Sequence, residues 1–293
     1  MTSRSELVAF ARDSIARGSK SFAAASTLFD PATRERAWLL YAWCRAADDL
    51  ADGQEMGHGT QAVADPLQRL ATIRTLTDAA LAGAATGNPA FDALGVVARE
   101  CRIPARYVHD VVDGFALDAA GFRPQVEADL YRYCYHVAGA VGCMMAIVMG
   151  VEPGDDAVLD RACDLGIAFQ LANIARDLAE DDAAGRCYVP AAWAGEPRAR
   201  IAARLADRAE AHEASARFGA RALSFRSAWA VLAAAGIYGD IAREVKRRGD
   251  AAWDQRVMTS KAAKLGWIAR AFIASARRSG IADPGRDGLY RRP

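Results

Sequence analysis

The chain has 293 residues and a formal net charge of +1, with 37 Lys and Arg set against 36 Asp and Glu. That balance leaves no electrostatic footprint for nucleic acid, and the length is ample for a substantial core in one large or two ordinary domains. Low proline, high alanine and few β-branched runs argue against a β-rich chain and for an all-α one.

Apolar periodicity predicts helices at about 4–17, 31–51, 66–82, 89–101, 104–119, 127–150, 156–181, 197–219, 222–248 and 259–279. Pro31, Pro104 and Pro153 fall near starts, as proline should at a first turn. The first helix runs into Gly18-Ser19-Lys20-Ser21, which looks like the tail of a phosphate-binding loop. The glycine such a loop needs five residues earlier is Asp13, however, and no strand precedes it.

The helix at 31–51 holds the apolar run Trp38-Leu39-Leu40-Tyr41-Ala42-Trp43-Cys44, then Arg45, then Asp48-Asp49-Leu50-Ala51-Asp52. At 3.6 residues per turn, Asp48 and Asp52 stack on one face with Arg45 three residues before Asp48. Taken alone, this pattern is compatible with a solvated helix edge carrying an ordinary ion pair, but its flanks are too apolar for a freely solvated helix. The segment Tyr133–Val151 is nearly long enough to span a bilayer and carries only His136 as a possible charge. We read it as a buried helix. Its small residues Ala138, Gly139, Ala140 and Gly142 permit close packing or leave room for a ligand, and its flanks lack the basic cluster of an inserted helix. His136 reads as a satisfied core residue rather than a base.

The helix at 156–181 carries the second carboxylate set, about 125 residues after the first, with Asn173, Asp177 and Asp181 on one face and Arg176 beside Asp177. Two such faces opposed across a bundle would hold a divalent metal. Oxygen ligands favour Mg²⁺, with Mn²⁺ as the alternative, and Mg²⁺ commonly joins carboxylates to substrate phosphates. A phosphorylated substrate is therefore expected, and Arg45 and Arg176 are suited to bind it bidentately. No His or Cys stands at zinc or iron spacing, and no calcium loop, dinucleotide fingerprint or nucleophile elbow is present. Two longer loops, Gly53–Asp65 and Asp182–Glu196, follow the two carboxylate sets and could close over a site or simply connect helices.

The absence of repeats and composition shifts favours a single domain over 1–293. The six cysteines form no C-x-x-C pair and no signal peptide opens the chain, so free thiols and a cytoplasmic location are expected.

Four groups of residues resemble the squalene/phytoene synthase family across nearly the whole chain. They are Gly18-Ser19-Lys20-Ser21-Phe22; Tyr41-Ala42-Trp43-Cys44-Arg45 with Asp48-Asp49-Leu50-Ala51-Asp52; Tyr133-Cys134-Tyr135 with Val137-Ala138-Gly139; and Phe169-Gln170-Leu171-Ala172-Asn173-Ile174-Ala175-Arg176-Asp177. Gly185-Arg186-Cys187-Tyr188-Val189-Pro190 and Gly249-Asp250-Ala251-Ala252-Trp253-Asp254-Gln255-Arg256 look most similar to its bacterial phytoene-forming members.

The resemblance implies an all-α isoprenoid synthase bundle with a central cavity roofed by the two aspartate motifs. It implies Mg²⁺-dependent head-to-head condensation of two geranylgeranyl diphosphates through a cyclopropyl diphosphate, without NADPH. Asp48, Asp52, Asn173, Asp177 and Asp181 would hold metal. Gly18, Ser19, Lys20, Ser21, Tyr41, Arg45, Arg176, Tyr238 and Arg256 would meet the diphosphate, with Gln170 near the reacting centre. Phe22, Val137, Ala138, Val141 and Leu171 would wall the cavity against water. Peripheral contact with the inner membrane and hand-off of product to a phytoene desaturase are further expectations. The alternatives are a sister enzyme using farnesyl diphosphate (squalene, dehydrosqualene or presqualene diphosphate synthase) and a non-catalytic helical interaction protein.

Overall fold

Side-chain caps, three of them followed by a first-turn proline, set where most of the helices begin. In the computed structural model the described residues are 2–53 and 65–293, the side chains of Lys20 and Ser21 excepted. The chain divides into two compact units, residues 1–120 with 144–154 and residues 121–143 with 155–293.

In the first unit, α1 (Arg4–Gly18) starts at a capping box in which Ser3 and Glu6 satisfy each other's backbone N–H. Ser19 then caps a short helix, α2 (Lys20–Ser26), its hydroxyl accepting from the Phe22 N–H at 3.2 Å. Periodicity does not reveal this helix, because seven residues are too few to show a period. Asp30 caps α3 (Pro31–Asp52), with Pro31 in its first turn, and Gly53 closes it in the left-handed conformation (φ 66°) that glycine adopts without a Cβ penalty. The same device of an Asp or Asn cap followed by proline opens α4 (Pro66–Leu81) and α5 (Pro89–Cys101); α6 (Ala105–Ala119) follows. α1, α3 and α5 pack together around Trp43, Leu39, Phe91 and Leu94, none of which is exposed. Residues 54–64 of the loop expected at Gly53–Asp65 lie outside the described residues.

The second unit corrects one expectation. The helix anticipated over 127–150 is three pieces: α7 (Glu127–Cys134), a π turn (Tyr135–Gly139) and α8 (Ala140–Val148), with the boundary between the units falling inside α8. A π turn inserts one residue into the helical ladder, which an apolar run cannot reveal because nearly every position in it is apolar or small. No described helix is long and apolar enough to cross a membrane. His136 is half-buried, with its ring 5.2 Å from that of Tyr135.

Next come α9 (Asp156–Ala183), α10 (Arg198–Gly219), α11 (Phe225–Arg248) and α12 (Lys261–Ala276), with no strand among the described residues. α9 packs on α10, α11 and the π turn. A Cβ on Gly166 would lie 2.2 Å from the Ala138 carbonyl oxygen, and one on Gly142 2.3 Å from that of Ala162. Backbones meet there, which is the use of the small residues in the apolar run. The six cysteines are free, and burial pushes the Cys44 thiol up to about 12.

A polar clamp ties the C-terminal segment onto the first half of α9. Asp164 is fully buried; His212 Nδ1 lies 2.9 Å from its Oδ1, the Ser215 hydroxyl donates to Oδ2, and Arg286 Nε donates to Oδ2 at 2.8 Å. Arg286 and Arg292 also hold Asp160, at 2.8 and 2.6 Å. Burial alone would raise the Asp164 pKa, but His212, Arg286 and Ser215 outweigh it and hold the carboxyl below its ordinary value.

Gly166→Ala is expected to lower unfolding free energy by about 1–3 kcal/mol in urea denaturation, since the opposing atoms are backbone and cannot rotate away. A depressed folded-state pKa gives stability that is present above the ordinary carboxylate pKa and lost as pH falls through the folded value. Asp164→Asn should therefore cost about 1.5–3 kcal/mol at neutral pH, with the gap from wild type closing below about pH 4 in acid-unfolding curves.

Candidate active site

The open face of α3 presents Tyr41, Arg45, Asp48 and Asp52, while Leu39, Leu40, Trp43 and Ala47 on its other faces fill the core. Arg45 Nη1 donates to Asp48 Oδ2 at 2.8 Å and lies 3.8 Å from Asp49 Oδ1. Its guanidinium stands 6.0 Å from the Tyr41 ring centroid, and the Phe22 ring lies 5.6 Å from the same ring. Tyr41 Oη and Arg45 Nε are both buried, and the hydroxyl lies against the Arg45 guanidinium and interacts with it. Gly18 makes this crowding possible, because a Cβ there would come within 2.5 Å of Tyr41 Oη. A buried guanidinium with a tyrosine hydroxyl beside it suits an incoming anion. Ser19 is engaged in capping α2, and the side chains of Lys20 and Ser21 lie outside the described residues.

Asp48 is a strongly perturbed carboxyl of this face. Desolvation first and the neighbouring Asp52 second raise its pKa to about 6, against the opposing pull of Arg45. A second positive charge beside it would relieve that repulsion.

In the second unit, Gln170, Asn173, Asp177 and Asp181 form one half-buried stripe on α9. Adjacent helical residues do not normally face each other, yet the long Arg176 side chain turns back to grip Asp177, with Nε donating to Oδ1 at 2.7 Å and Nη2 to Oδ2. Arg256, distant in sequence, reaches the same carboxylate with Nη2 at 3.2 and 3.3 Å and places Nη1 3.5 Å from Glu180. Tyr238 on α11 stacks on Phe169 of α9, with centroids 4.2 Å apart and planes at 23°. Asp181 is gripped by Arg186, whose Nη2 lies 3.1 Å from Oδ1; burial nevertheless leaves its pKa raised.

The structure thus brings Arg176, Asp177 and Arg256 into one charge cluster, with Asp181 on the same stripe. Arg186 was not among the residues singled out for the site, although it stands in the Gly185-Arg186-Cys187-Tyr188 segment that carries part of the resemblance. Its signal was an arginine five residues beyond the last carboxylate of the stripe. Val137, Ala138 and Val141 are half-buried, as apolar walls of a ligand space would be. Leu171 departs from that expectation. It is fully buried in the core and offers no surface to a ligand space.

Among the described residues, no group of three or more His, Cys, Asp and Glu side chains forms a ready-made metal cluster. The donors fit a hard divalent cation in a different way. They are all oxygens, they are partly desolvated, and where they are paired their partners are arginines that also bind phosphate. A metal–diphosphate pair could exchange with those arginines without leaving charge unpaired.

The sequence comparisons agree with this chemistry. Residues 15–263 match the family model described as squalene/phytoene synthase. The chain is 46% identical to the phytoene synthase of Pseudescherichia vulneris and 45% identical to the 15-cis-phytoene synthase of Paracoccus sp. (strain N81106 / MBIC 01143), in both cases over 99% of each chain. A crystal structure of a dehydrosqualene synthase superposes with a TM-score of 0.82 at 24% identity, covering 94% of this chain and 98% of the other, a likeness of all-α fold. The family is of the divalent-metal-dependent isoprenoid synthase type, acting on prenyl diphosphates. With the family match running across both units and the curated likeness spanning almost the full length, the chain belongs to the squalene/phytoene synthase family.

Proposed function

We propose that this chain is a prenyltransferase that condenses two geranylgeranyl diphosphates head to head into 15-cis-phytoene for carotenoid biosynthesis. The observation that carries the reading is 45–46% identity to phytoene synthases over 99% of both chains. The two intact sets of carboxylates and arginines support it. We further read the whole of 1–293 as one functional domain, in which both units serve a single reaction; the continuous family match over 15–263 supports this.

The residues divide the work by their chemistry. Asp48 and Asp52 from α3, and Asn173, Asp177 and Asp181 from α9, would hold Mg²⁺. When bound, the metal supplies positive charge to a departing diphosphate. Arg45, Tyr41 and Gly18 receive diphosphate oxygens on one side, with Ser19, Lys20 and Ser21 close by in sequence; Arg176, Arg256 and Tyr238 do so on the other. Arginine suits this role because its fork binds phosphate bidentately and keeps its charge. Gln170, on the carboxylate stripe of α9, would lie near the reacting carbons. Val137, Ala138, Val141 and Phe22 present carbon to the prenyl chains and exclude water from the cation that ionisation leaves behind. In this course one diphosphate leaves, the cation is captured by the second substrate's alkene, and loss of a proton to the released diphosphate closes the ring of a cyclopropyl diphosphate. A second ionisation, rearrangement and loss of a proton give the hydrocarbon, and NADPH is not consumed.

A cytoplasmic enzyme with peripheral contact at the inner membrane, handing its product to a desaturase, fits a water-insoluble C40 product.

The direct test supplies purified protein with Mg²⁺, equal geranylgeranyl and farnesyl diphosphates and no NADPH, and identifies the extracted hydrocarbons by mass. Phytoene that disappears with EDTA is the expected result; a C30 product would assign a sister activity. Asp48→Ala and Asp177→Ala should each lower turnover by about 100-fold or more with the helical circular dichroism retained, and unaltered turnover in either would remove that residue from the metal set. Arg256→Ala should lower kcat/KM about tenfold through KM for the diphosphate, with Arg256→Lys rescuing poorly because a lysine cannot fork.

A further inference from the structure

A cavity of about 670 Å³ opens in the second unit, well away from the carboxylate stripe. It is lined by Arg161, Arg221 and Arg278 together with Val158, Phe218 and Ala276. Arg161 and Asp177 share α9 and are separated by sixteen residues, or about 24 Å at ~1.5 Å per residue. The residues assigned to the reaction above do not line this space.

Three features show that the space is built rather than incidental. The first is a close helix approach, since a Cβ on Gly219, at the end of α10, would come within 2.7 Å of Arg161 Cβ. Gly219 thus lets the chain turn directly against α9. The second is aromatic support. The guanidinium groups of Arg161 and Arg221 both stand over the Phe218 ring, 4.3 and 4.7 Å from its centroid, which fixes two long side chains that would otherwise sample many rotamers. The third is uncompensated charge. Arg161 is paired with Asp283 at 2.8 and 3.0 Å. Arg221 donates to the Ile281 carbonyl at 3.4 Å and Arg278 Nη1 to that of Ser275 at 2.9 Å, and neither forms a salt bridge among the described residues. Arg278 Nε is buried and has no partner. One carboxylate at the rim against three guanidiniums leaves the wall positive, and an unsatisfied buried donor is a cost that an anion would remove.

The apolar part of the cavity continues onto α12. Leu265, Phe272 and Ile273 are 68%, 47% and 56% exposed, and with Ala269 they form an apolar stripe at helical spacing that ends on Ala276 in the cavity wall. A basic cavity at the end of an exposed hydrocarbon stripe matches a molecule with an anionic head and an aliphatic tail. Forked donors in this number match the several oxygens of a phosphate. The volume lies in the ordinary range of small-molecule sites.

We propose that this cavity is a second phosphate site, which receives a phosphate group carried on a hydrocarbon chain: the head lies among Arg161, Arg221 and Arg278, and the tail lies along the α12 stripe. The source is either a phospholipid headgroup or a water-soluble isoprenoid phosphate, which share this chemistry. The inference does not depend on the reaction assigned above, because it uses none of the same residues.

The test uses the full chain in EDTA, so that metal-dependent diphosphate binding does not contribute. Decyl phosphate is titrated calorimetrically, with inorganic phosphate as the head-only control. Flotation is measured with phosphatidylcholine vesicles with and without phosphatidylglycerol. Decyl phosphate is expected to bind more tightly than inorganic phosphate, and about tenfold more weakly to Arg221→Ala/Arg278→Ala and to Ala276→Asp, with Arg176→Ala unaffected; a tenfold change corresponds to about 1.4 kcal/mol. Ala276 is exposed, so the second variant tests the site even if the double variant folds poorly, and turnover and circular dichroism should be unchanged in it. Variant-sensitive flotation confined to phosphatidylglycerol vesicles would identify the lipid as the source. Variant-sensitive decyl phosphate binding without flotation would identify a soluble isoprenoid phosphate. Equal binding by wild type and both variants, loss only in Arg176→Ala, or no binding at all would overturn the proposal.

Discussion

Carboxylates do not enter a helical core without cations to meet them, and α9 shows that rule along its whole length. Asp160 and Asp164 in its first half are met by Arg286 and Arg292, Asp177 by Arg176 and Arg256, and Asp181 by Arg186. Every partner but Arg176 comes from a segment after the helix, so the chain that follows α9 is fastened to it by charge as well as by packing. The two ends differ in access. Asp164 is wholly buried with four polar contacts, a closed network whose disruption would leave buried charge unpaired. Asp177 and Asp181 retain 18% and 15% side-chain exposure, so the same kind of pairing there can open for a ligand.

The carboxylate face of the first unit carries fewer cations. This α3 face has one arginine amid Asp48, Asp49 and Asp52, and burial first, with Asp52 after it, raises the Asp48 pKa. Buried Tyr41 Oη and Arg45 Nε add polar capacity, packed against Gly18 where any side chain would collide. One face therefore combines excess negative charge, which favours a cation, with buried groups able to meet an anion. That pairing is what a metal–diphosphate complex presents to a protein.

Much of this was legible in the sequence because it depends on local spacing. Asp48 and Asp52, and Asn173, Asp177 and Asp181, share faces through the helical period alone, and the ends of α3, α5 and α9 fell within two residues of their expected positions. What spacing could not give was contact between distant segments. Arg256 touches Asp177 across 79 residues, and Arg286 reaches Asp164 across 122. No periodicity encodes either. Short elements were hidden for a related reason: α2 is only seven residues long, and the π turn lies in a run so uniformly apolar that an inserted residue leaves no mark.

That inserted residue has a consequence for how the apolar segment can vary. An α-helix turns about 100° per residue, so one extra residue in the ladder changes the bearing of everything after it relative to everything before. Tyr133 on one side, stacked on Tyr188, and Gly142 on the other, pressed to the Ala162 carbonyl, are both correctly aimed only because the turn lies between them. Deleting a single residue from 135–139 would regularise the helix locally and misalign one of the two contacts. Substitution by other small residues is a milder change than loss of length, so the count of residues through this stretch is itself a structural specification, independent of which residues they are.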